Sequence, residues 1–238
     1  MGLVTWLDKT FYPNFERNWD DKLFRKRIEA HLTKDTVVLD LGAGAGIVEE
    51  MHFRGQVARI CGVDLDPRVE QNEKLDEGKL ADAGRIPYAD DTFDVVFADN
   101  VMEHLDDPET VFGEVQRVLK PGGVLLFKTP NRSHYMPLIA RCTPHRFHQF
   151  INKLRGREVT DTFPTHYLAN SRQQVTNLAV KTGFELECVQ LVEGRPEYLR
   201  LTFLTYLFGL FYERIVNSSD IMARWRILLI AELRKPGQ

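Results

Sequence analysis

The sequence predicts a doubly wound α/β fold, in which helices cover both faces of a mostly parallel sheet. Short apolar runs rich in Val and Leu alternate with stretches of helical periodicity along most of the chain. Turn residues follow these runs, and the first run leads directly into the glycine-rich segment 42–46. This alternation is typical of βαβ units, whose parallel strands are buried on both faces.

The N-terminal half is predicted to contain a helical preface and five strands. Residues 1–35 form the preface, since Trp19, Leu23 and Ile28 recur at helical spacing. The elements that follow are a strand at 37–41, a helix at 47–53, a strand within 58–67, a short strand near 78–81, a strand at 93–100, a helix at 107–119 and a strand at 124–131. Asp107 or Asp106 is a suitable cap for the helix at 107–119.

The C-terminal part is predicted to add a helix at 171–184, a strand at 185–194, a very apolar helix at 197–216 and a last strand at 226–235. Two insertions interrupt this pattern, at 132–166 and 195–222, and we expect them to fold together as a lid. The remaining segment 36–131 is the expected ligand-binding core. We expect one domain over residues 1–238, which is an ordinary length for a single core.

Composition and charge narrow the function classes. The net charge of −3 over 238 residues gives no global attraction to nucleic acid or to an anionic membrane. Three cysteines without paired spacing fit reduced thiols, so we expect a cytoplasmic protein without a signal peptide. The longest apolar stretch, Leu201–Tyr212, is too short to cross a bilayer, which needs about 20 residues.

The glycine-rich segment and two acids suggest an adenosine-binding site. Gly42-Ala43-Gly44-Ala45-Gly46 follows a predicted strand, where glycine lets the backbone turn tightly against a ligand. Asp64 ends the second strand and can accept hydrogen bonds from ribose hydroxyls. Asp82 follows the third strand and can accept one from an adenine amino group. A tight turn without a ligand, and capping or solvated carboxylates, remain the alternatives.

The glycine spacing separates two cofactor classes that both contain adenosine. Dinucleotide sites use G-x-G-x-x-G to admit a pyrophosphate. Here Ile47 occupies the position of that third glycine, which comes one residue early, at Gly46. The spacing therefore disfavours a nicotinamide-dependent oxidoreductase, which stays an alternative together with a non-catalytic binding protein of the same fold.

Four successive motifs resemble those of class I S-adenosylmethionine-dependent methyltransferases. They are LDLGAGAG, GVDLDP, LADAGRIPYADDTFDVVFADNVMEHLDDP and EVQRVLKPGGVLLFKTPN, and they cover roughly residues 36–131. Within that family the chain looks most like the enzymes that methylate small molecules, including the ubiquinone and menaquinone type. The resemblance implies a Rossmann-like sheet of seven strands, mostly parallel with the last strand antiparallel, and S-adenosylmethionine as cofactor.

The resemblance also implies which residues contact the cofactor. They are Asp40, Gly42, Ala43 and Gly44 at its amino-acid end, Asp64 and Leu65 at the ribose and the adenine face, Asp82 and Ala83 at the adenine edge, and Asn100 near the methionine portion. Methyl transfer from a sulfonium is an in-line displacement, so the protein needs to align the acceptor and exclude water. It needs a general base only for an acceptor with a proton of high pKa.

Three histidines are candidates for such a base, namely His104, His134 and His166. The alternative for His104 is a packed side chain beneath the cofactor loop. His145 and His148 have a spacing that could bind a metal, but no cysteine or acid stands in register with them. We therefore expect no metal.

The acceptor is expected in the insertions, because ligands of doubly wound folds bind beyond the carboxyl ends of the strands. From Lys128 to His166 the sequence has seven Lys and Arg residues against two acids. This excess suggests an anionic small molecule, and a solvated basic surface is the alternative. The predicted substrate residues are Arg132, Tyr135, Arg195 and Tyr198.

The helix at 197–216 is apolar on more than one face, so we expect it to be buried in the core or the lid. A homodimer interface, or peripheral contact with lipid, is the alternative. Nucleic acid is not expected as a partner, because the segment after the fourth strand lacks an Asn-Pro-Pro-Tyr-like motif.

Overall fold

The computed structural model describes residues 2–16, 18–142 and 164–237. Its strands are β1 (Val37–Leu41), β2 (Arg59–Asp64), β3 (Glu77–Leu80), β4 (Phe93–Asp99), β5 (Leu119–Pro130), β6 (Glu185–Val192) and β7 (Leu228–Arg234). They form one seven-stranded sheet in the order β3-β2-β1-β4-β5-β7-β6.

The sheet is parallel except near its end. The pairs β1/β2, β1/β4, β2/β3 and β4/β5 are all parallel. Hydrogen bonds join Lys235 to Gly123 and Asn131 to Ile227, so residue numbers rise along β5 as they fall along β7. Strand β7 is therefore antiparallel to β5. The predicted α/β fold with a mostly parallel, seven-stranded sheet is confirmed.

The helices precede the sheet or follow its strands. They are α1 (Leu3–Phe11), α2 (Trp19–Glu29), α3 (Pro108–Val118), α4 (Tyr135–Cys142), α5 (Arg172–Thr182), α6 (Phe203–Val216) and α7 (Asp220–Ala223). Helix α4 follows β5, and α6 and α7 follow β6, which places helical insertions after the fifth and sixth strands as predicted.

The core lies on the central strands. Four of the five residues of β1 are buried, as are five of the seven residues of β4. Phe97 of β4 meets Phe24 of α2 and Phe53 edge to face, with ring centroids 6.5 and 5.6 Å apart. Such pairs stabilise a core beyond the burial of their area.

The helix predicted at 47–53 is wrong. Only a short 3₁₀ turn forms, at Glu49–Met51. Met51 and Phe53 are both buried although they are two residues apart, which is the burial pattern of an extended segment and not of a helix. Ile47 and Val48 are β-branched and favour a helix little. The glycine-rich segment is consequently not followed by a helix N-terminus.

The expectation that the apolar helix is buried all round is also wrong. Helix α6 begins only at Phe203, and its buried residues are Tyr206, Gly209, Glu213 and Val216. These lie at intervals of three and four, so they form a single inward face. Tyr206 and Glu213 are held there by hydrogen bonds, which leaves most of the large apolar side chains outside.

The chain divides into two compact units. The sheet unit comprises Asp20–Thr129, Thr165–Gln190 and Leu229–Gln238. The insertion unit comprises Met1–Trp19, Pro130–Pro164 and Leu191–Leu228. Within the insertion unit, Asp8 accepts from Tyr206 and pairs with Arg195 and Arg200, so polar contacts join α1 to the segment after β6.

A buried lysine connects three elements of the sheet unit. Lys128 lies near the end of β5, and its side chain is completely buried. Its Nζ is 3.0 Å from Asp99 at the end of β4 and 3.2 Å from Asp20 of α2, and it also pairs with Asp21. These carboxylates keep the pKa of Lys128 above its usual value despite the burial. The lysine thus fixes α2 against the ends of β4 and β5.

Replacing this lysine should destabilise the protein strongly. We expect Lys128→Met to lower the free energy of unfolding by about 3–5 kcal/mol, because it leaves buried carboxylates without their cation. Lys120→Met is the matched control on the same strand, since Lys120 pairs with Asp94 in a more exposed setting. That change should cost about 1 kcal/mol or less. Denaturant unfolding curves measure both, and equal losses would contradict the central role of Lys128.

Candidate active site

The glycine-rich loop is fixed to the end of β2. The backbone N–H groups of Gly42 and Ala43 donate to the carbonyl of Val63, at 2.8 and 3.3 Å. Gly42 has a φ of 84°, in the left-handed region that favours glycine. A Cβ at Gly42 would lie 2.3 Å from Cγ2 of Val101. The loop therefore requires glycine here for both its conformation and its close packing.

Asp64 joins this loop to β2 through its carboxylate. One oxygen accepts from the N–H of Gly44 at 2.8 Å, and the other accepts from the N–H of Asp66, also at 2.8 Å. A carboxylate has about four lone-pair positions, so each oxygen can accept a further hydrogen bond. Asp64 can thus hold the loop and still bind two neighbouring hydroxyl groups.

Asn72 supports the loop from the other side, and no sequence motif indicated it. Its Nδ2 donates to the carbonyls of Ala43 and Gly44, at 3.3 and 3.2 Å. A Cβ at Gly46 would lie 2.3 Å from the Asn72 side-chain oxygen. Asn72 follows the 3₁₀ segment Pro67–Gln71, outside every recognisable motif.

Asp40 is a buried carboxylate on β1, directly before the loop. It is 8% exposed, and within the described residues its carboxylate has no hydrogen-bond partner. Burial raises its pKa well above the usual value, and the charges of Asp99 and Asp64 raise it further. A cationic group bound beside Asp40 would relieve this cost, so the position suits a ligand with a positive charge.

Asn100 is held at the ends of β4 and β5. Asn100 has a φ of 54°, and its N–H donates to the carbonyl of Lys128 at 2.9 Å. Its side chain donates to Asp99, also at 2.9 Å. Burial raises the pKa of Asp99 to about 6, although Lys128 opposes that shift. Asp99 and Lys128 were not predicted as site residues, and Lys128 was counted only among the cations of the basic stretch.

Exposed leucines and a turn lie at the ends of β2 and β3. Leu65 is 63% exposed and follows Asp64, and Leu80 is the register partner of Asp64 on β3. Asp82 is exposed, and its carboxylate accepts from the N–H of Gly84 at 2.6 Å. Ala83 lies within that turn. These residues offer an apolar surface beside hydrogen-bonding groups, and Leu80 was not predicted among them.

A buried polar network brings together the segments of two candidate histidines. The carboxylate of Glu103 accepts from Thr129 at 2.8 Å, and Asn170 donates to the same hydroxyl at 2.6 Å. The carbonyl of Glu103 also accepts from the N–H of His166, at 2.7 Å. His104, adjacent to Glu103, is half-buried and interacts with neighbouring groups, whereas His166 is exposed.

The third candidate, His134, lies in the insertion unit among aromatic rings. Its ring centroid is 4.0 Å from that of Tyr135, 6.3 Å from that of Tyr198 and 5.3 Å from that of Tyr212. The structure therefore groups three predicted site residues and adds Tyr212. His134 is 1% exposed, and among the described residues its Nε2 has no hydrogen-bond partner.

Glu193 is the neighbour of His134 that sequence reasoning missed. Its Oε2 lies 3.6 Å from Nε2 of His134 and accepts from the N–H of Ile227 at 2.8 Å. Burial lowers the pKa of His134 to about 3 and raises that of Glu193 to about 8. Both groups are then neutral near pH 7, so their contact is not an ion pair.

The two predicted substrate arginines differ in their surroundings. Arg195 pairs with Asp8 at 3.3 Å and with Glu197 at 2.5 Å, and its guanidinium lies 3.8 Å from the centre of the Phe15 ring. Arg132 is half-buried and has no ion-pair partner in the described part of the chain. Arg132 is thus the freer cation. His145 and His148 lie outside the described residues.

Relatives of this chain in sequence include proteins named as methyltransferases. A Mycolicibacterium smegmatis protein named "probable S-adenosylmethionine-dependent methyltransferase" is 34% identical over 169 residues, which are 66% of this chain and 55% of that protein. A ubiquinone biosynthesis O-methyltransferase of Pseudomonas syringae is 36% identical over 40% of this chain and 45% of its own length. The chain spans about half the length of these relatives.

A solved structure shares the fold. The phosphoethanolamine N-methyltransferase 2 of Haemonchus contortus, in complex with phosphomonomethylethanolamine and S-adenosylhomocysteine, superposes with a TM-score of 0.56 at 17% identity. The match covers 99% of this chain and 57% of the other. At that identity the likeness concerns the fold alone.

The profile of a family described as "Methyltransferase domain" matches residues 15–189, which is more than half of the chain. The match includes the glycine-rich loop, Asp40, Asp64, Asp82 and Asn100, and it confirms the resemblance that the motifs indicate. The protein belongs to this methyltransferase family.

Proposed function

We propose that this protein transfers a methyl group from S-adenosylmethionine to a small-molecule acceptor. The observation that carries the proposal is the pair of carboxylates around the glycine-rich loop. Asp64 fixes the loop at Gly44 and keeps lone pairs for two more donors, while the buried carboxylate of Asp40 has no hydrogen-bond partner among the described residues. Family membership and the names of the relatives support the same activity.

The residues present fit this cofactor group by group. Asp64 would accept from both ribose hydroxyls, and Leu65 with Leu80 would cover the adenine face. Asp82 and Ala83 would meet the adenine edge. Asp40 would lie near the amino-acid end, where a positive α-ammonium suits a costly buried carboxylate. Asn72 is a positioning residue, since it holds the two loop carbonyls.

The chemistry demands little of the protein besides alignment. When bound, S-adenosylmethionine supplies a methyl group that its sulfonium has already activated. The chain then has to orient the acceptor in line with the breaking bond and exclude water, and such positioning contributes roughly 7–11 kcal/mol in favourable intramolecular cases. No nucleophilic side chain is required for this displacement.

The insertion unit is the proposed acceptor site. The ubiquinone biosynthesis enzymes among the relatives support a small molecule. His134 is the candidate base of this unit, with Tyr135 and Tyr198 beside it, although burial lowers its pKa and so weakens it as a base. Within the described residues Arg132 has no ion-pair partner, and its guanidinium would suit an anionic acceptor. His104 and His166 stay candidate bases of the sheet unit.

Binding of S-adenosylhomocysteine tests the cofactor. We expect calorimetric titration to show binding of this product and none of NADH. Asp64→Asn should weaken the affinity by about tenfold or more, since hydrogen bonds to a charged group contribute about 1.5–3 kcal/mol. Asp91→Asn is the control, because Asp91 pairs with Lys235 at the surface before β4. Binding of NADH instead would overturn the proposal.

The protonation of Asp40 gives a second test. Its pKa is raised in the free protein, and a neighbouring ammonium would lower it, so binding should release a proton at pH values between the free and the bound pKa. The affinity for S-adenosylhomocysteine should therefore weaken as the pH falls through the raised pKa. Titrations in two buffers of different ionisation enthalpy measure the proton directly.

Asp40→Asn is the variant for this test. This variant should bind S-adenosylhomocysteine more weakly and release fewer protons on binding. Any proton release that remains in the variant would then come from other groups, such as Asp99. In the free protein the same change should increase stability above the raised pKa, because it removes a buried charge. Identical heats for the unmodified protein in both buffers would exclude Asp40 from the ammonium site.

Arg132 tests the anionic character of the acceptor. With labelled S-adenosylmethionine and a panel of anionic and neutral small molecules, we expect methylation of an anionic compound. Arg132→Met should raise its KM by about tenfold and leave the affinity for S-adenosylhomocysteine unchanged. Arg224→Met, at an exposed arginine of the insertion unit, is the control. Turnover of neutral compounds alone would exclude an anionic acceptor.

A further inference from the structure

The insertion unit exposes an apolar face on α6 that the proposed methyl transfer does not use. Leu204, Phe208, Phe211 and Ile215 are 66%, 71%, 68% and 41% exposed. Their spacing of four, three and four residues places them on one side of the helix. Large exposed apolar surfaces of this kind mark interaction sites, whereas single exposed residues do not.

Helix α1 of the same unit also carries exposed apolar side chains. Leu3 and Trp6 are 63% and 52% exposed and lie three residues apart on α1. The two helices are joined within the insertion unit, since Tyr206 donates to Asp8 at 2.7 Å and Tyr12 donates to Glu213 at 3.0 Å. We call the exposed apolar side chains of α1 and α6 together the apolar face.

The exposure follows from the inward side of α6. A Cβ at Gly209 would lie 2.5 Å from Cβ of Pro196, so this glycine permits close packing there. Glu213, 6% exposed, also accepts from Asn217 at 2.7 Å. These contacts fix the rotation of the helix, and the apolar face therefore cannot turn inward without losing buried hydrogen bonds.

The charge of the chain is divided between the two units. By sequence, the three segments of the insertion unit contain 13 Lys and Arg residues against 8 Asp and Glu, a net charge of +5. Of this charge, +3 belongs to Arg17 and residues 143–163, which lie outside the described residues. The rest of the chain accordingly carries −8, because the total is −3. The small net charge of the whole protein is thus the sum of a basic insertion unit and an acidic remainder.

From the apolar face and this charge we propose that the insertion unit docks on the surface of an anionic lipid bilayer. An amphipathic helix with Phe and Leu on one face, in a basic setting, lies in the interface of such a membrane. A nearby Trp is a typical interfacial anchor, and the positive charge adds attraction to anionic headgroups.

The charge of the insertion unit favours this occupant over a second copy of the chain. A second copy would bring two units of +5 together across the apolar face, and like charges oppose that contact. In the part of the chain that the structure describes, no helix has the length and apolar character that a bilayer crossing requires.

Co-sedimentation of the full chain with vesicles tests the proposal. One set of vesicles contains phosphatidylcholine alone, and the other contains about 30% phosphatidylglycerol. We expect binding to the anionic vesicles, with an affinity that falls as salt is added. The fluorescence of Trp6 should shift to the blue on binding, and Trp6→Phe should abolish most of that shift.

The double variant Phe208→Ser/Phe211→Ser should weaken vesicle binding by about tenfold or more, because it removes two large apolar side chains from the interface. Val180→Ser is the matched control, since Val180 is 77% exposed on α5 of the sheet unit. Both variants should keep the affinity of the unmodified protein for S-adenosylhomocysteine, which shows that they fold.

Three results would overturn the proposal. They are equal binding to both kinds of vesicle, binding that the double variant leaves unchanged, and an absence of binding to any vesicle. Sedimentation velocity tests the alternative occupant, a second copy of the chain. A dimer that the double variant dissociates, without vesicle binding, would assign the apolar face to a second copy of the chain. All these outcomes are independent of methyl transfer.

Discussion

The buried ammonium of Lys128 is the contact on which the sheet unit depends most. It lies where β4 and β5 end, and it neutralises charge from α2 and from β4 at one point. The backbone carbonyl of Lys128 also accepts from the N–H of Asn100, so the same residue positions the loop after β4. Three carboxylates share one cation, which leaves this end of the sheet negative on balance. A negative site is the expected setting for a cofactor with a cationic end.

The division of charge gives the two units complementary tasks. The sheet unit holds Asp40, Asp64 and Asp82, whose carboxylates suit the ammonium, ribose and adenine groups of the proposed cofactor. The insertion unit carries the cations, which suit an anionic acceptor or an anionic surface. A protein whose total charge is only −3 can thus recognise partners of opposite sign.

Burial sets the protonation states that this chemistry would use. His134 has its pKa lowered and Glu193 has its pKa raised by the same apolar surroundings, so both are neutral near pH 7. A neutral imidazole can accept a proton, but at 1% exposure His134 meets an acceptor only if the acceptor displaces its present neighbours. The aromatic rings around it therefore decide access as well as protonation.

The sequence by itself determined the strands, the glycine-rich loop and the acids beside it. These features depend on short-range patterns, such as apolar runs buried on both faces and glycines at left-handed positions, and family membership confirms the motifs that contain them. Tertiary structure alone decided the partners of Lys128, one of which lies 108 residues away, and the brace that Asn72 provides. It also decided that no helix follows the loop and that α6 turns its apolar side outward. Such outcomes depend on which distant groups compete for burial and hydrogen bonds, and local periodicity carries no information about that competition.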